Sequence, residues 1–402
     1  MYKIGKPNLI RKINRELILK YIRQGKITTK IELNKLTGLS KQTINNIISI
    51  LLERGLVLKA GYGESTKEGG KKPLLLKFNS DAYYLIGVLV GENRISGGVT
   101  NLDGKILHEI YIYSHFERGR DDVIKRIIKL LKNTIKQMNV DSKKFLGIGI
   151  GLPGIIDFKE GMVRILTRHH DWGEVPLKRI IQNEFNFPVV IDHEGNVRSL
   201  GEKWFGLAKD VNNFINIMTT SDGIGAGVII DREIVRGYNN LCGELGHIIL
   251  NINDGDFKKS NNLESQLSES NINNIILKMS KNDLFKMSPI SQLIKKNEIL
   301  SLNDLFYHYN NNDKFSILVM RKVTYFFALL IINILCTFDI DLIIIHGKFA
   351  KLKDDFFNEI SHLVNNNIFP EIKKEINIKR SLKSKEMGIM GAASMVLDIV
   401  SM

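Results

Sequence analysis

A glycine-rich stretch at residues 221–247 constrains the fold of this chain more than any other segment. Three of its glycines alternate directly before an apolar run, and two more stand beside a carboxylate and an imidazole three positions apart. In chain order these residues are Gly223, Gly225, Gly227, Gly243, Glu244, Gly246 and His247. Glycine at such spacing allows tight turns and brings backbone N–H groups close to a ligand. The pattern predicts a site for a polyhydroxylated ligand, and a glycine-rich hairpin with surface charges is the open alternative.

Several further segments, together with this stretch, resemble signature sequences of the ROK family. That family contains bacterial sugar kinases and sugar-responsive transcriptional repressors. The segments that carry the resemblance are residues 151–154, 191–202, 343–347 and 387–393, and the N-terminal region.

The resemblance implies an α/β protein of two parts. A winged helix-turn-helix is expected at residues 1–78, and a ROK domain of actin-like, hexokinase-like fold at residues 79–402. That domain has two lobes with the sugar in the cleft between them. The implied bounds are about 79–195 for the first lobe, about 196–385 for the second, and about 386–400 for a C-terminal helix that returns to the first lobe.

The positive charge of the chain is concentrated near its N-terminus. The formal net charge is +14, and residues 1–77 hold 17 lysines and arginines against 5 acidic residues. The remainder of the chain is therefore almost neutral. A basic head on a neutral body predicts a polyanion, such as duplex DNA, as the partner of the head alone.

Cysteine content and apolar patterning indicate a cytoplasmic protein. Two cysteines among 402 residues exclude a disulfide framework and fit a reducing compartment. The first residues lead into a helical pattern rather than a signal peptide. The longest apolar run, 325–338, contains Asn333 and is followed by Asp339, so it predicts a buried helix and no membrane partner.

Three helical patterns between residues 17 and 52 predict a helix-turn-helix. Gly38 ends the second pattern, and Ser40 is a good N-cap for the third, whose apolar residues share one face. The opposite face is polar and can reach base edges and phosphates in the major groove. The residues expected to contact DNA there are Ser40, Lys41, Gln42, Thr43, Asn45 and Asn46. A small helical dimerisation module with a solvated basic face is the alternative.

Two short apolar runs, at residues 56–58 and 73–78, predict the strands of a wing around a loop rich in glycine and charged residues. The end of that loop, 69–73, resembles the glycine-basic-proline wing segment of the ROK repressors, so Lys71 and Lys72 are further candidates for DNA contacts. We expect the head to bind a duplex operator as part of a homodimer or a tetramer.

The family resemblance also implies a set of sugar-contacting residues in the cleft. Glu194 takes the place of the aspartate that is the general base of the kinases, and Glu264 that of a sugar-contacting glutamate. His169 lies nearest the position of an asparagine that touches sugar hydroxyls. The complete set is His169, His193, Glu194, Glu244, His247 and Glu264. The adjacent pair His169 and His170 does not predict a metal site, because neighbouring side chains diverge and no third ligand is evident.

Two positions count against phosphoryl transfer. Leu89 stands where the kinases have the aspartate of a loop that holds phosphate and magnesium, and leucine binds no metal. Glu194 displaces the base carboxylate by roughly one ångström relative to aspartate, a misplacement that can cost about 100-fold in rate. The cysteines of the family's zinc cluster are missing from residues 254–264, so neither a metal nor another cofactor is expected.

These observations favour a DNA-binding transcriptional regulator that is not an enzyme. The simplest form is a repressor that a neutral monosaccharide, such as xylose, releases from its operator. A sugar kinase with an added DNA-binding head is one alternative, which Leu89 and Glu194 disfavour. A regulator that responds to a protein partner is another, because His193 and the missing zinc cluster depart from the family pattern.

Overall fold

A computed structural model of the protein describes residues 7–25, 27–64, 72–166, 168–220, 223–251, 261–281, 288–295, 301–340, 342–368 and 376–400. Within these ranges the chain forms a small N-terminal head and two lobes, each built around a five-stranded sheet. The predicted α/β class is confirmed.

The head consists of three helices and a three-stranded antiparallel sheet. Its elements are α1 (Pro7–Gln24), β1 (Thr28–Thr29), α2 (Lys30–Thr37), α3 (Lys41–Glu53), β2 (Val57–Tyr62) and β3 (Leu74–Phe78). The strand order is β1-β3-β2. Helices α2 and α3 form the predicted helix-turn-helix, and β2 and β3 form the strands of the wing.

Local sequence determines where the two helices of the helix-turn-helix begin and end. Thr29 caps α2 by accepting a hydrogen bond from the N–H of Glu32, whose carboxylate accepts one from the N–H of Thr29. Gly38 ends α2 with φ 67°, a conformation that glycine adopts without strain. Ser40 caps α3 through the N–H of Thr43, as the sequence predicted. Only three residues therefore separate the two helices.

The first lobe is built around a mixed five-stranded sheet with helices on both faces. Its elements are β4 (Tyr84–Val90), β5 (Arg94–Asn101), β6 (Ile106–Tyr113), α4 (Arg120–Met138), β7 (Phe145–Leu152), β8 (Ile155–Asp157), β9 (Met162–Ile165), α5 (Leu177–Phe185) and β10 (Val189–His193). The strand order is β10-β7-β4-β5-β6, in which β4, β7 and β10 are parallel and β5 and β6 are antiparallel to their neighbours.

The second lobe has a sheet of the same topology, covered by more helices. Helix α6 (Glu194–Phe205) leads into it from β10. Its further elements are β11 (Phe214–Thr219), β12 (Ile224–Ile230), β13 (Glu233–Ile234), β14 (Ile249–Asn251), β15 (Asn261–Asn262), α7 (Leu263–Leu267), α8 (Glu269–Ser280), α9 (Pro289–Lys295), α10 (Leu302–Asn310), α11 (Lys314–Phe338), β16 (Leu342–Gly347), α12 (Asp354–Asn367) and β17 (Asn377–Arg380). In both sheets three antiparallel strands are followed by two parallel ones.

Glycines bring α13 (Met387–Ile399), the helix that returns to the first lobe, into direct contact with the first sheet. A Cβ atom on Gly149 would lie 1.8 Å from the carbonyl oxygen of Ala392. A Cβ atom on Gly97 would instead lie 2.2 Å from Cδ2 of Leu130, which belongs to α4. Helices α13 and α4 therefore both pack directly on the sheet.

The head shares a hydrophobic core with the body of the protein. Ile18 and Ile22 of α1 and Leu51 of α3 belong to a buried cluster that also contains Phe205 and Met390. None of these five side chains is more than 7% exposed. Burying one such side chain contributes roughly 1.5–3 kcal/mol, so the head is held firmly against α6 and α13.

Helix α11 forms the centre of the second lobe. By length and composition it could cross a membrane, and no other helix among the described residues could. Its apolar side chains instead pack inside the lobe: Phe315, Val319, Val323 and Phe327 are each at most 1% exposed. The sequence prediction of a buried helix is confirmed.

Candidate functional site

An open cavity of about 650 Å³ lies between the two lobes. It is located where β7, β10 and β11 end, and open α/β sheets bind ligands at the carboxyl ends of their strands. Its volume suits a small organic ligand. Five of the six residues that the sequence assigned to sugar contact line it, namely His193, Glu194, Glu244, His247 and Glu264.

Part of the glycine-rich stretch makes room for Glu264 at the cavity wall. A Cβ atom would lie 2.4 Å from Oε2 of Glu264 if placed on Gly223, and 2.8 Å from it if placed on Gly246. The N–H of Ile224 donates to the same oxygen at 3.2 Å. The glycines and this hydrogen bond together fix the position of the carboxylate.

Another part of the stretch contacts α6 rather than the cavity. A Cβ atom on Gly227 would lie 2.1 Å from the hydroxyl oxygen of Ser199, and one on Gly195 would lie 2.8 Å from the carbonyl oxygen of Ala226. The glycine spacing alone predicts close approach of a ligand to the backbone of this stretch. At Gly227 the group that approaches is a helix, so the stretch both lines the cavity and holds α6 against the second lobe.

Glu244 and His247 form an accessible edge of the cavity. Nε2 of His247 lies 3.9 Å from Oε2 of Glu244, and the two side chains are 70% and 38% exposed. A carboxylate beside an imidazole offers both acceptors and a donor to neighbouring hydroxyl groups. The pair can therefore bind a ligand without first breaking a buried contact.

Glu194 begins α6 at the cavity and is paired with Arg198 one turn later. Arg198 donates to Oε1 of Glu194 from Nε at 3.1 Å and from Nη2 at 2.7 Å. Through Nη1 it also donates to the carbonyl oxygen of Ser384. His193 caps the helix, since its Nδ1 accepts from the N–H of Gly195 at 3.2 Å. Two of the predicted sugar contacts thus belong to the start of a single helix.

His169 does not line the cavity. Its Nε2 lies 3.1 Å from both carboxylate oxygens of Glu92, and its ring stacks on Phe116 with 4.3 Å between the centroids. The neighbouring Arg168 lines the cavity instead. The geometry therefore does not place His169 with the other predicted sugar contacts, because Glu92 and Phe116 hold its ring elsewhere.

The end of β4, the phosphate and magnesium position implied by the resemblance, is apolar here. Cδ2 of Leu89 reaches to within 2.5 Å of where a Cβ atom on Gly388 would be, so its side chain lies against α13. The chain then turns tightly, with the N–H of Gly91 donating to the carbonyl oxygen of Arg94 at 3.0 Å. Leucine offers no ligand to a cation, and the carboxylate of Glu92 on this turn would repel a phosphate.

A buried imidazole–carboxylate pair occupies the end of β16. Nε2 of the fully buried His346 lies 2.9 Å from Oε1 of Glu202. The hydroxyl of Ser381 donates to that oxygen at 2.7 Å, and the N–H of Leu207 donates to Oε2 at 2.8 Å. Burial lowers the pKa of His346. Burial alone would raise the pKa of Glu202, but these three partners outweigh it and the pKa is lowered.

The polar face of α3 is open to solvent. The exposed side chains are Ser40, Lys41, Gln42, Asn45 and Asn46, with Thr43 half-buried. Lys30 of α2 reaches this face and donates to Asn45 at 2.8 Å. Lys72 is exposed beside β3, and Lys71 lies outside the described residues. The face combines two cationic side chains, Lys30 and Lys41, with several amide side chains, which is the chemistry that reads base edges.

Sequence reasoning missed an ion pair that joins the two lobes. Arg236, after β13, donates to the 1% exposed carboxylate of Asp192 at 2.8 Å. Its guanidinium also lies 3.6 Å from the ring centroid of Phe158. Asn196 donates to the other carboxylate oxygen at 2.9 Å. Asp192 falls inside a recognised segment, but nothing in the sequence identifies a partner 44 residues away.

The fold and the cavity together define a body like that of a sugar kinase, joined to a winged helix-turn-helix. The model of the ROK family matches residues 85–399, and the chain belongs to this family.

Relatives that match nearly the whole chain include proteins named as regulators. The xylose repressor of Bacillus spizizenii is 31% identical over 404 residues, covering 99% of this chain and 100% of that protein. A crystal structure of a ROK family transcriptional regulator, a homologue of the Escherichia coli Mlc protein, shares the fold with a TM-score of 0.79, 21% identity and 96% coverage of both chains. The glucokinase of Thermotoga maritima is 28% identical but covers only 78% of this chain and 97% of its own length.

The His346–Glu202 pair predicts a pH dependence of stability. The pKa of His346 is lower in the folded protein than in the unfolded chain, so the unfolded state binds more protons below about pH 6.5. The free energy of unfolding is therefore highest above that pH and decreases as the pH falls. The lowered pKa of Glu202 has the same effect at lower pH. We expect the unfolding temperature to drop between about pH 7.5 and pH 5.5, and to drop less in His346→Gln.

Thermal unfolding followed by fluorescence at both pH values measures this difference. The exposed His362 provides a matched control, since His362→Gln removes an imidazole without removing a buried pair. The assignment is wrong if all three proteins lose the same number of degrees.

Proposed function

We propose that this protein is a DNA-binding transcriptional repressor that a neutral monosaccharide releases from its operator, with xylose as the first candidate. One observation carries the proposal: a single chain combines an exposed polar helix on a winged head with a cavity lined by three carboxylates and two imidazoles. The full-length similarity to a xylose repressor supports it.

The head has the charge and the geometry for duplex DNA. Its first 77 residues carry a net charge of +12, which supplies the attraction to phosphate. Helix α3 presents Gln42, Asn45 and Asn46, whose amides can pair with adenine edges in the major groove. Two heads of a homodimer, or of a tetramer, would contact half-sites about 34 Å apart or a multiple of that distance. Such a protein works in the cytoplasm, where its operator is.

The cavity suits an uncharged sugar better than a sugar phosphate. The carboxylate of Glu194 is already paired with Arg198, but those of Glu244 and Glu264 would repel a phosphate group. Carboxylates and imidazoles can each bind the hydroxyl groups of a sugar. An analogue that lacks one hydroxyl would leave a polar group unpaired, which costs about 1–3 kcal/mol.

The same geometry argues against phosphoryl transfer. Leu89 lies against α13 where a metal-holding carboxylate is required, and Oε1 of Glu194 accepts two hydrogen bonds from Arg198 instead of facing a substrate hydroxyl freely. We therefore propose that the cleft binds sugar and does not phosphorylate it.

A footprint and an affinity series test the DNA-binding surface. Gln42→Ala should relax the preference for one base pair of the operator, a loss of about 1–3 kcal/mol of discrimination. Lys72→Ala should weaken binding to all sequences and lower the slope of log affinity against log salt by about 1. Lys129→Ala, on the exposed face of α4, is the matched control and should change neither. Unchanged operator affinity after removal of the head would refute the assignment.

Calorimetric titration with D-xylose and related pentoses and hexoses tests the cavity. Glu244→Gln should lower the affinity for the sugar by roughly 10- to 150-fold, because hydrogen bonds to charged groups contribute about 1.5–3 kcal/mol. Operator binding without sugar should be unchanged in Glu244→Gln. Glu109 is an exposed carboxylate on β6, so the control Glu109→Gln should change neither sugar affinity nor operator affinity. If every sugar that binds leaves operator affinity unaltered, regulation by a protein partner becomes the better account.

A coupled assay of ADP release tests the absence of kinase activity. With ATP, magnesium and D-xylose or D-glucose, we expect no turnover above the background hydrolysis of ATP. A glucokinase in the same assay serves as positive control. Turnover in the usual enzyme range of about 1–1000 per second would show that Leu89 does not prevent catalysis.

A further inference from the structure

Helix α6 runs from the cavity to the DNA-binding head. Its first residue, Glu194, and its capping residue, His193, line the cavity. Its last residues, Trp204 and Phe205, pack into the core that the head shares with the body. At 1.5 Å per residue its 12 residues span about 18 Å. One short element therefore touches both functional regions.

The surroundings of α6 favour movement as a rigid body. Ten of its twelve residues are buried. Arg198 ties its first turn to the carbonyl of Ser384, and Glu202 ties its last turn to His346 and Ser381. Densely packed interiors transmit small displacements instead of absorbing them.

At the far end of α6 the contact with the head centres on Arg23 of α1. Its guanidinium lies 5.8 Å from the ring centroid of Trp204 and 5.6 Å from that of Phe205. The same group donates from Nε to Asp103 and from Nη2 to the carbonyl oxygen of Leu102, both at 2.9 Å. Arg23 therefore contacts the last residues of α6 and, separately, the turn between β5 and β6 of the first lobe.

These two sets of contacts depend on the position of α6 relative to the first sheet. The ring of Phe205 lies directly over that turn, since a Cβ atom on Gly104 would be 2.5 Å from it. A displacement of α6 along its axis would move the two rings but leave Asp103 and Leu102 in place. Arg23 could not then keep its contacts with both the end of α6 and the turn between β5 and β6. Helix α1 would therefore tilt with respect to the body. Tilting α1 tilts α3, because Ile18 and Ile22 share a core with Leu51.

We propose that Arg23 is the positioning residue that couples the ligand cavity to the DNA-binding helix, through α6. The inference rests on the proposed function, because it needs a sugar that weakens operator binding. Arg23 touches neither the sugar nor α3, and acts only by fixing the angle of the head. Its role is thus distinct from that of Gln42 or Glu244.

The test measures operator affinity with and without saturating D-xylose in the full-length protein. The ratio of the affinity without xylose to the affinity with xylose reports the coupling between the two sites. Coupling between two sites typically changes affinity by about 5- to 150-fold, and the wild type should fall in that range. Arg23→Met keeps an unbranched apolar side chain but removes the guanidinium with its charge and donors, so the ratio should fall to about 2-fold or less. Xylose affinity measured by calorimetry should stay unchanged. Arg23→Lys, which keeps the charge, should restore part of the ratio.

Lys20→Met is the matched control, since Lys20 is an exposed cation on the same helix, and its ratio should equal that of the wild type. If Arg23→Met lowers the unfolding temperature too far for binding studies, Asp103→Asn removes the negative charge that faces Arg23 on the turn, which weakens that set of contacts and should lower the ratio partially. A wild-type ratio retained by Arg23→Met, or by Asp103→Asn where the first cannot be used, overturns this inference alone. A ratio of one in the wild type, with xylose bound, overturns the proposed function as well.

Discussion

The close contact of α6 with its neighbours on two sides is the constraint on which the rest of this structure depends. On the side of the first lobe, a Cβ atom on Gly391 of α13 would lie 2.0 Å from the carbonyl oxygen of Val197. On the side of the second lobe, Gly227 leaves room for Ser199. Larger residues at Gly391 or Gly227 would push α6 away from one lobe and open the cavity. The glycines therefore determine the distance between the lobes and the positions of His193 and Glu194.

A kinase and a repressor can share this arrangement, because both need a sugar held between two lobes. They differ in what surrounds it. At the end of β4 this chain has an apolar side chain, and at the end of β16 it has a buried imidazole–carboxylate pair. At the other end of α6 it has a head packed on Phe205. Glu244, His247 and Glu264 line the cavity although an apolar residue ends β4, so the predicted sugar contacts do not depend on a metal-holding carboxylate at that position.

The sequence predicted the elements whose patterns are local. The wing strands β2 and β3, the long helix α11 and the caps at Ser40 and Gly38 follow from residues close to one another in the chain. The most important helix was not predicted. Residues 194–205 include two glycines, an asparagine and a serine, all poor helix formers, and α6 is stabilised by burial on nearly all sides.

In the candidate site, too, residues in recognisable local segments could be predicted, whereas residues positioned by distant parts of the chain could not. Glu244, His247 and Glu264 could be assigned because short recognisable segments contain them, and these residues do line one cavity. The sequence also could not predict that His169 lies outside this cavity, since its ring direction depends on Glu92, 77 residues earlier. Arg23 gave no signal at all: its partners Asp103 and Phe205 come together only when the head packs on the body.

Reciprocity between the two ligands tests the central claim most directly. If a sugar in the cavity weakens operator binding, the operator must weaken sugar binding by the same factor. Calorimetric titration of D-xylose into the free protein, and into the protein saturated with operator duplex, measures that factor. We predict that the operator complex binds xylose about 5- to 150-fold more weakly than the free protein. Equal xylose affinity in both states would contradict the account, since the cavity and the head would then be independent.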